Sequence, residues 1–112
     1  MLVSKDDVKK AVGGGTVLVG GNYRGEGPEP NAKRTFVDAA AAIKADATEK
    51  GDGGTVVVWA DEVTGFKGRI SARGGADGGN GGLAEVSGKE GLAYSGSVDL
   101  SAPQGENGTV LF

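Results

Sequence analysis

The chain contains no cysteine and no histidine. The first absence removes disulfide frameworks and thiolate metal sites; the second removes the commonest general base and the commonest metal ligand. Positive charge is not in excess either. Lys and Arg number 12 against 15 Asp and Glu, the formal net charge is -3, and the basic residues are scattered. Nucleic-acid binding needs clustered cations to neutralise phosphates, so no nucleic-acid partner is expected. The sequence also lacks a run of about 18 apolar residues that could cross a bilayer as a helix. Met1 is not followed by the charged stretch and apolar block of a signal peptide, so any export signal is expected to lie outside this sequence.

What the chain has in abundance is glycine, with 23 residues among 112, where ordinary usage is about 7%. Hydrophobic residues still make up 38%, too many for a disordered linker. The glycines must therefore punctuate something regular, and the length suits one domain. A repeat is visible. Gly-Thr-Val-Leu-Val (15–19), Gly-Thr-Val-Val-Val (54–58), Gly-Leu-Ala-Glu-Val (82–86) and Gly-Thr-Val-Leu-Phe (108–112) start 39, 28 and 26 residues apart. In a second register, Phe66-Lys-Gly-Arg-Ile-Ser-Ala and Tyr94-Ser-Gly-Ser-Val-Asp-Leu are also offset by 28. Fixed periods of this size are the signature of solenoids.

Each unit alternates apolar residues and is bounded by glycine doublets, the pattern of short half-buried strands between tight turns. The alternation predicts one inward ladder of Val17 and Val19, Val56 and Val58, Ala84 and Val86, and Val110 and Phe112. A second ladder holds Ile43 and Ala45, Ile70 and Ala72, Val98 and Leu100, and a third face carries Ala39, Phe66 and Tyr94. Glu85 sets the phase, because an unpaired charge is almost never buried, so Glu85 and Val57 are expected to face outward. The predicted fold is all-β: a right-handed parallel β-helix (β-solenoid) of three to four coils over 13–112, each coil of about 27 residues hydrogen-bonding to the next about 4.8 Å away. The first coil is 11 residues longer than the second, and the polar stretch from Asn22 to Asn31, with two prolines, is read as the irregular loop near 22–33 that absorbs the excess. Residues 1–12 differ in character. Ser4 with Asp7 resembles a capping box, Val3 can staple onto Val8, and Lys5 to Val12 are expected to form a short α-helix capping the first coil.

Four stretches, Gly-Gly-Thr-Val-Leu-Val-Gly-Gly-Asn-Tyr, Pro-Asn-Ala-Lys-Arg-Thr-Phe-Val-Asp, Ile-Ser-Ala-Arg-Gly-Gly and Gly-Gly-Asn-Gly-Gly-Leu-Ala-Glu-Val-Ser-Gly-Lys, carry a family likeness. Over 13–112 the sequence resembles the haemagglutinin-repeat shafts of filamentous-haemagglutinin-type adhesins of the two-partner secretion family. The resemblance implies a β-helical fibre segment and a parent protein that is secreted or on the surface of a Gram-negative bacterium. The family's amino-terminal secretion domain is absent, so the chain reads as an excised or engineered piece of a shaft.

Motifs that could carry chemistry have plainer readings. Gly79-Asn-Gly81-Gly-Leu-Ala84 matches a relaxed dinucleotide fingerprint, but such a motif needs a strand before it and a helix after it, whereas here a strand is predicted to follow. Gly88-Lys89 lacks the remaining residues of a phosphate loop, and 78–83 offers Leu83 where a calcium repeat needs Asp. Asp61, Glu62, Asp77, Asp99 and Glu106 do not align acid on acid between coils, since Asp99 falls beside Ser71 and Asp77 beside Gly105. No catalytic residue, metal ligand or cofactor is assigned, and the chain is not expected to be an enzyme. Asn107-Gly-Thr109 has the pattern of a glycosylation acceptor and is read as chance for a bacterial shaft. Trp59 follows inward Val58 and so points outward; it is expected to pack under the 22–33 loop with Tyr23, the alternative being that Trp59, Tyr23 and Arg24 contact a glycan or host surface. The strand at 108–112 has none of the charges or prolines that blunt an edge. Val110 and Phe112 are therefore expected to meet an adjacent coil of a longer fibre or a second molecule.

Overall fold

The computed structural model describes residues 2–3, 15–27 and 30–112. Among them are eleven strands: β1 Leu2–Val3, β2 Thr16–Val19, β3 Arg34–Val37, β4 Ala42–Lys44, β5 Thr55–Ala60, β6 Val63–Phe66, β7 Arg69–Ser71, β8 Leu83–Gly88, β9 Gly91–Tyr94, β10 Ser97–Asp99 and β11 Thr109–Leu111. They form three sheets, ordered β1-β3-β6-β9, β4-β7-β10 and β2-β5-β8-β11, which we call the first, second and third. Every strand-to-strand pairing is parallel. The chain visits the three sheets in the same order on each circuit, so each circuit is a coil and the architecture is a parallel β-helix. Coil 1 contains β1 and β2, coil 2 β3 to β5, coil 3 β6 to β8 and coil 4 β9 to β11. The ladder of the first sheet reaches back to Leu2–Val3, ahead of residue 13 where the sequence had the coils begin. The helix expected at Lys5 to Val12 lies outside the described residues.

The pairing register is the one the repeats predict. Val56 pairs with Ala84, Gly65 with Ala93 and Ile70 with Val98, each 28 residues on, so one offset recurs in all three sheets. Val17 pairs with Val56 across the longer step of 39. The inward ladders follow. Val56, Val58, Ala84, Val86, Ile43, Ala45 and Ala72 are fully buried, Ile70 is nearly so, and Val19 and Leu100 are buried at the same core. Burying a Val, Leu, Ile or Phe side chain contributes about 1.5–3 kcal/mol, and these rows offset the backbone entropy that a glycine-rich chain loses on folding.

The third face departs from expectation at one position. Val37, not Ala39, stands in line with Phe66 and Tyr94. The Asp38 Oδ1 accepts the Ala39 N–H at 2.7 Å and the Asp38 carbonyl accepts the Ala41 N–H at 3.0 Å. This turn, which Asp38 opens and in which Ala39 and Ala40 are central, takes Ala39 out of the strand and leaves it exposed. The inward positions two residues before Val37 and Phe66 are Thr35 and Thr64, both fully buried. Their hydroxyls donate to the carbonyls of Trp59 and Ser87, each at 2.7 Å, so the polar atoms are satisfied and the first sheet is tied to the end of the third. Phe66 and Tyr94 stack at 5.7 Å with their planes 6° apart, and Phe112 meets Tyr94 edge-on at 4.7 Å. On coil 4 the inward rows open to solvent: Tyr94 is 37%, Val110 39% and Phe112 55% exposed. Burial raises the Tyr94 phenol above its ordinary pKa.

The outer face of the third sheet brings the main correction. Val57 and Glu85 do point away from the core, in register with one another, yet Val57 is fully buried and Glu85 only 2% exposed. The phase read from Glu85 is right and the exposure inferred from it is wrong, because the 22–33 loop folds back over these strands. Ile70→Ala should therefore cost about 2–5 kcal/mol, and Val58→Ala somewhat less, through lost burial and a residual cavity. Val57→Thr should cost about 1–3 kcal/mol by placing a hydroxyl beneath the loop. Val63→Thr, at an outer position 38% exposed, should stay within about 0.5 kcal/mol. Denaturant midpoints measure all four, and a Val57→Thr midpoint equal to wild type would mean that water reaches this face.

Candidate functional site

The covered face begins as a surplus of chain. Between β2 and β3 the backbone leaves the stack at Gly20 and returns at Ala32, whose N–H donates to the Gly20 carbonyl at 2.8 Å. A segment of this length, closed at its base, has the form of an Ω-loop; we call it the strap. Its first part turns through a short 3-10 segment, Tyr23–Gly25, with the Asn22 side chain accepting the Tyr23 N–H. Arg24 sits at φ 56, a left-handed conformation that costs a non-glycine residue energy. That conformation aims its backbone N–H at Glu85, whose Oε1 accepts it at 2.7 Å. A hydrogen bond to a carboxylate is stronger than a neutral one.

Trp59 lies beneath the same strap at 8% exposure. Gly25, at φ +73, lies against the indole so closely that an added Cβ would stand 2.5 Å from Cζ2, and one on Gly21 would stand 2.8 Å from Cδ1. Only glycine permits that cover. The indole Nε1 donates to Asp61 Oδ1 at 2.9 Å, and Asn31 Nδ2 donates to the same oxygen and to the Gly25 carbonyl, both at 3.0 Å. Trp59 is thus packed under the loop; Tyr23 is on its outside, 38% exposed, and Arg24 is exposed as well. Beside the strap runs a surface groove of about 580 Å³ lined in part by Arg24, Lys33, Trp59, Asp61, Glu62 and Lys89. Glu62 pairs with Arg34 at 3.5 Å, while Arg24, Lys33 and Lys89 make no ion pair among the described residues.

Of the other candidate acidic residues, Asp61 and Asp99 are engaged in local hydrogen bonds. Asp61 is taken up by Trp59 and Asn31. Asp99, in register with Ser71 as expected, accepts the Ser101 hydroxyl at 2.7 Å and the Ser101 N–H at 3.0 Å. These two bonds, the hydroxyl first, hold its carboxyl below the ordinary Asp pKa. Asp77 and Glu106 lie in separate connections, before β8 and before β11. Among the described residues no three His, Cys, Asp or Glu are grouped to hold a metal ion, and no helix is long and apolar enough to cross a membrane. The fingerprint-like Gly79 to Ala84 is a corner leading into strand β8, with Gly79 at φ +114.

One sign of the covered face was present in the sequence. Thr55-Val-Val-Val-Trp-Ala60 is apolar at consecutive rather than alternate positions, as in strands buried on both faces. No protein-family model matches the chain, and no curated protein's sequence matches it.

Asp61→Ala should leave the Trp59 Nε1 and the Asn31 amide without their shared acceptor. An expected loss of about 1–3 kcal/mol, with a red shift of the single tryptophan's emission, can be read from one fluorescence-monitored denaturation. The lowered Asp99 pKa adds stability that is present above the ordinary Asp range and lost as pH falls through the folded-state value. Ser101→Ala should raise the Asp99 midpoint, measured by carboxyl NMR, and leave neutral-pH stability nearly unchanged because Asp99 is exposed.

Proposed function

We propose that the chain is a structural rod segment of a secreted or surface-displayed bacterial filamentous adhesin, a spacer with no catalytic role. The carrying observation is the parallel stacking of each coil on the next in all three sheets, with a 28-residue offset occurring once in each. A fold whose successive coils are interchangeable in register grows by adding coils, and its length, not a pocket, is what such a repeat provides. The likeness of 13–112 to haemagglutinin-repeat shafts supports the adhesin setting and the Gram-negative surface location. The partner on this reading is a further coil of the same fibre or a second molecule. The edge of β11 away from β8 has no described strand against it, and Val110 and Phe112 stand exposed there.

Inserting a second copy of residues 55–82 after Gly82 should give a folded protein with a higher denaturant midpoint, lengthened by about one 4.8 Å strand spacing. Loss of the strand signal in circular dichroism on insertion would overturn the rod reading. In sedimentation, a concentration-dependent dimer or larger species should weaken when Val110 and Phe112 are replaced by Lys, and a strict monomer at high micromolar concentration would count against contact through this edge.

A second reading, lateral binding of a glycan or host surface, is favoured by the groove beside the strap, where Arg24, Lys33 and Lys89 make no ion pair among the described residues. Trp59 is only 8% exposed beneath Gly21 and Gly25, so on this reading most of the contact falls to Tyr23 and Arg24. A glycan array on which wild type and Tyr23→Ala/Arg24→Ala behave alike would eliminate it.

A further inference from the structure

Three local anomalies share one place: a left-handed arginine, a nearly buried carboxylate and a tryptophan buried on the outside of a sheet. Glu85 lies in an outward row with Val57 on one side and Leu111 on the other. Neither β5 nor β11 carries a titratable side chain, and no ion pair to Glu85 exists among the described residues. A carboxylate in such a place is costly unless its charge is hydrogen-bonded. The donor comes from the strap, and the strap comes from coil 1. On its way it lies over Trp59 and ties Asn31 to Asp61, next to the end of β5 in coil 2; its Arg24 N–H reaches Glu85 in coil 3. At its return the Ala32 and Lys33 carbonyls accept the N–H groups of Asp61 and Glu62, both at 2.9 Å.

Strand ladders join only neighbouring coils, whereas this path joins coil 1 to coil 3 directly. We propose that the strap is a staple that makes coils 1 to 3 open as one cooperative unit, with Glu85 as its clasp and coil 4 left outside to open first. The inference rests on the rod reading and specifies how such a rod resists peeling. It also accounts for the anomalies. The strain at Arg24 orients the clasping N–H, the burial of Glu85 makes the bond strong, and Trp59 supplies the apolar bed that aligns the strap. Because the clasp donates from the backbone, the Arg24 side chain is dispensable to it.

Native-state hydrogen exchange on the full chain tests this. In wild type, the ladder amides of β5 and β8 should open together and those of β9 to β11 faster. Glu85→Ala should accelerate exchange in β6 to β8 by about 10- to 100-fold, the size expected for losing a hydrogen bond to a charged group, while the β2–β5 ladder keeps more of its protection. Glu85→Gln retains an acceptor oxygen and should have a smaller effect. Arg24→Gly, which relieves the strain and keeps the N–H, should leave β8 protected. If Glu85→Ala fails to fold, the Gln and Gly variants still decide. Equal acceleration in all four coils, an unchanged β8, or β8 exposed by Arg24→Gly would each overturn the staple. Absence of ladder protection in wild type would instead overturn the β-helix itself.

Discussion

Every other feature of this molecule depends on the hydrogen bonding of one coil to the next. In a parallel β-helix the backbone groups of a strand find no partner within their own coil and are satisfied only by the strands above and below. An unpaired buried N–H or C=O costs about as much as a lost hydrogen bond. The coils are therefore forced to share a path and, within it, a length. Chain beyond that length cannot stay in the stack without breaking three ladders at once, so the surplus between β2 and β3 leaves as a loop, and leaves where two sheets meet.

The same constraint continues around the corners, where strands give way to turns. Asp46 Oδ1 accepts the Arg73 N–H at 2.7 Å, Asp52 Oδ1 the Asn80 N–H at 2.8 Å, and Asn80 Oδ1 the Glu106 N–H at 3.0 Å. In each case a side-chain oxygen on one coil stands in for the carbonyl that a strand would have offered to the next. Asp46, Asp52 and Asn80 thus have a structural task at the corners.

The ladders were legible in the sequence because their cause is local: alternate apolar residues and glycine pairs recurring at one offset. Val56, Val58, Ile70 and Val86 could be placed inside from that pattern alone. The third face was harder. Ala39 was chosen for its place in an alanine run, but the Asp38 side chain bends the backbone there and gives the inward position to Val37. The strap-covered face was not legible from alternation, which tells which side a residue occupies and nothing about what lies on that side. Glu85 misled because its partner is a backbone N–H 61 positions away in sequence, a contact that no periodicity encodes. The continuous apolar run of β5 held the one signal of cover on both faces. The destination of the strap depended on glycines at 21 and 25 that, in sequence, look like any other glycines in a chain full of them.

The strap has a further consequence in the geometry of a cylinder. Coils stacked in register place equivalent residues one above another, so position within the repeat acts as a compass bearing and coil number as height. An insertion at the junction of the third and first sheets emerges on the same side whichever coil carries it. The strap marks one bearing on the surface, and in a longer stack, similar insertions at that junction would line up as a ridge along one meridian, giving a fibre of repeated units a front and a back.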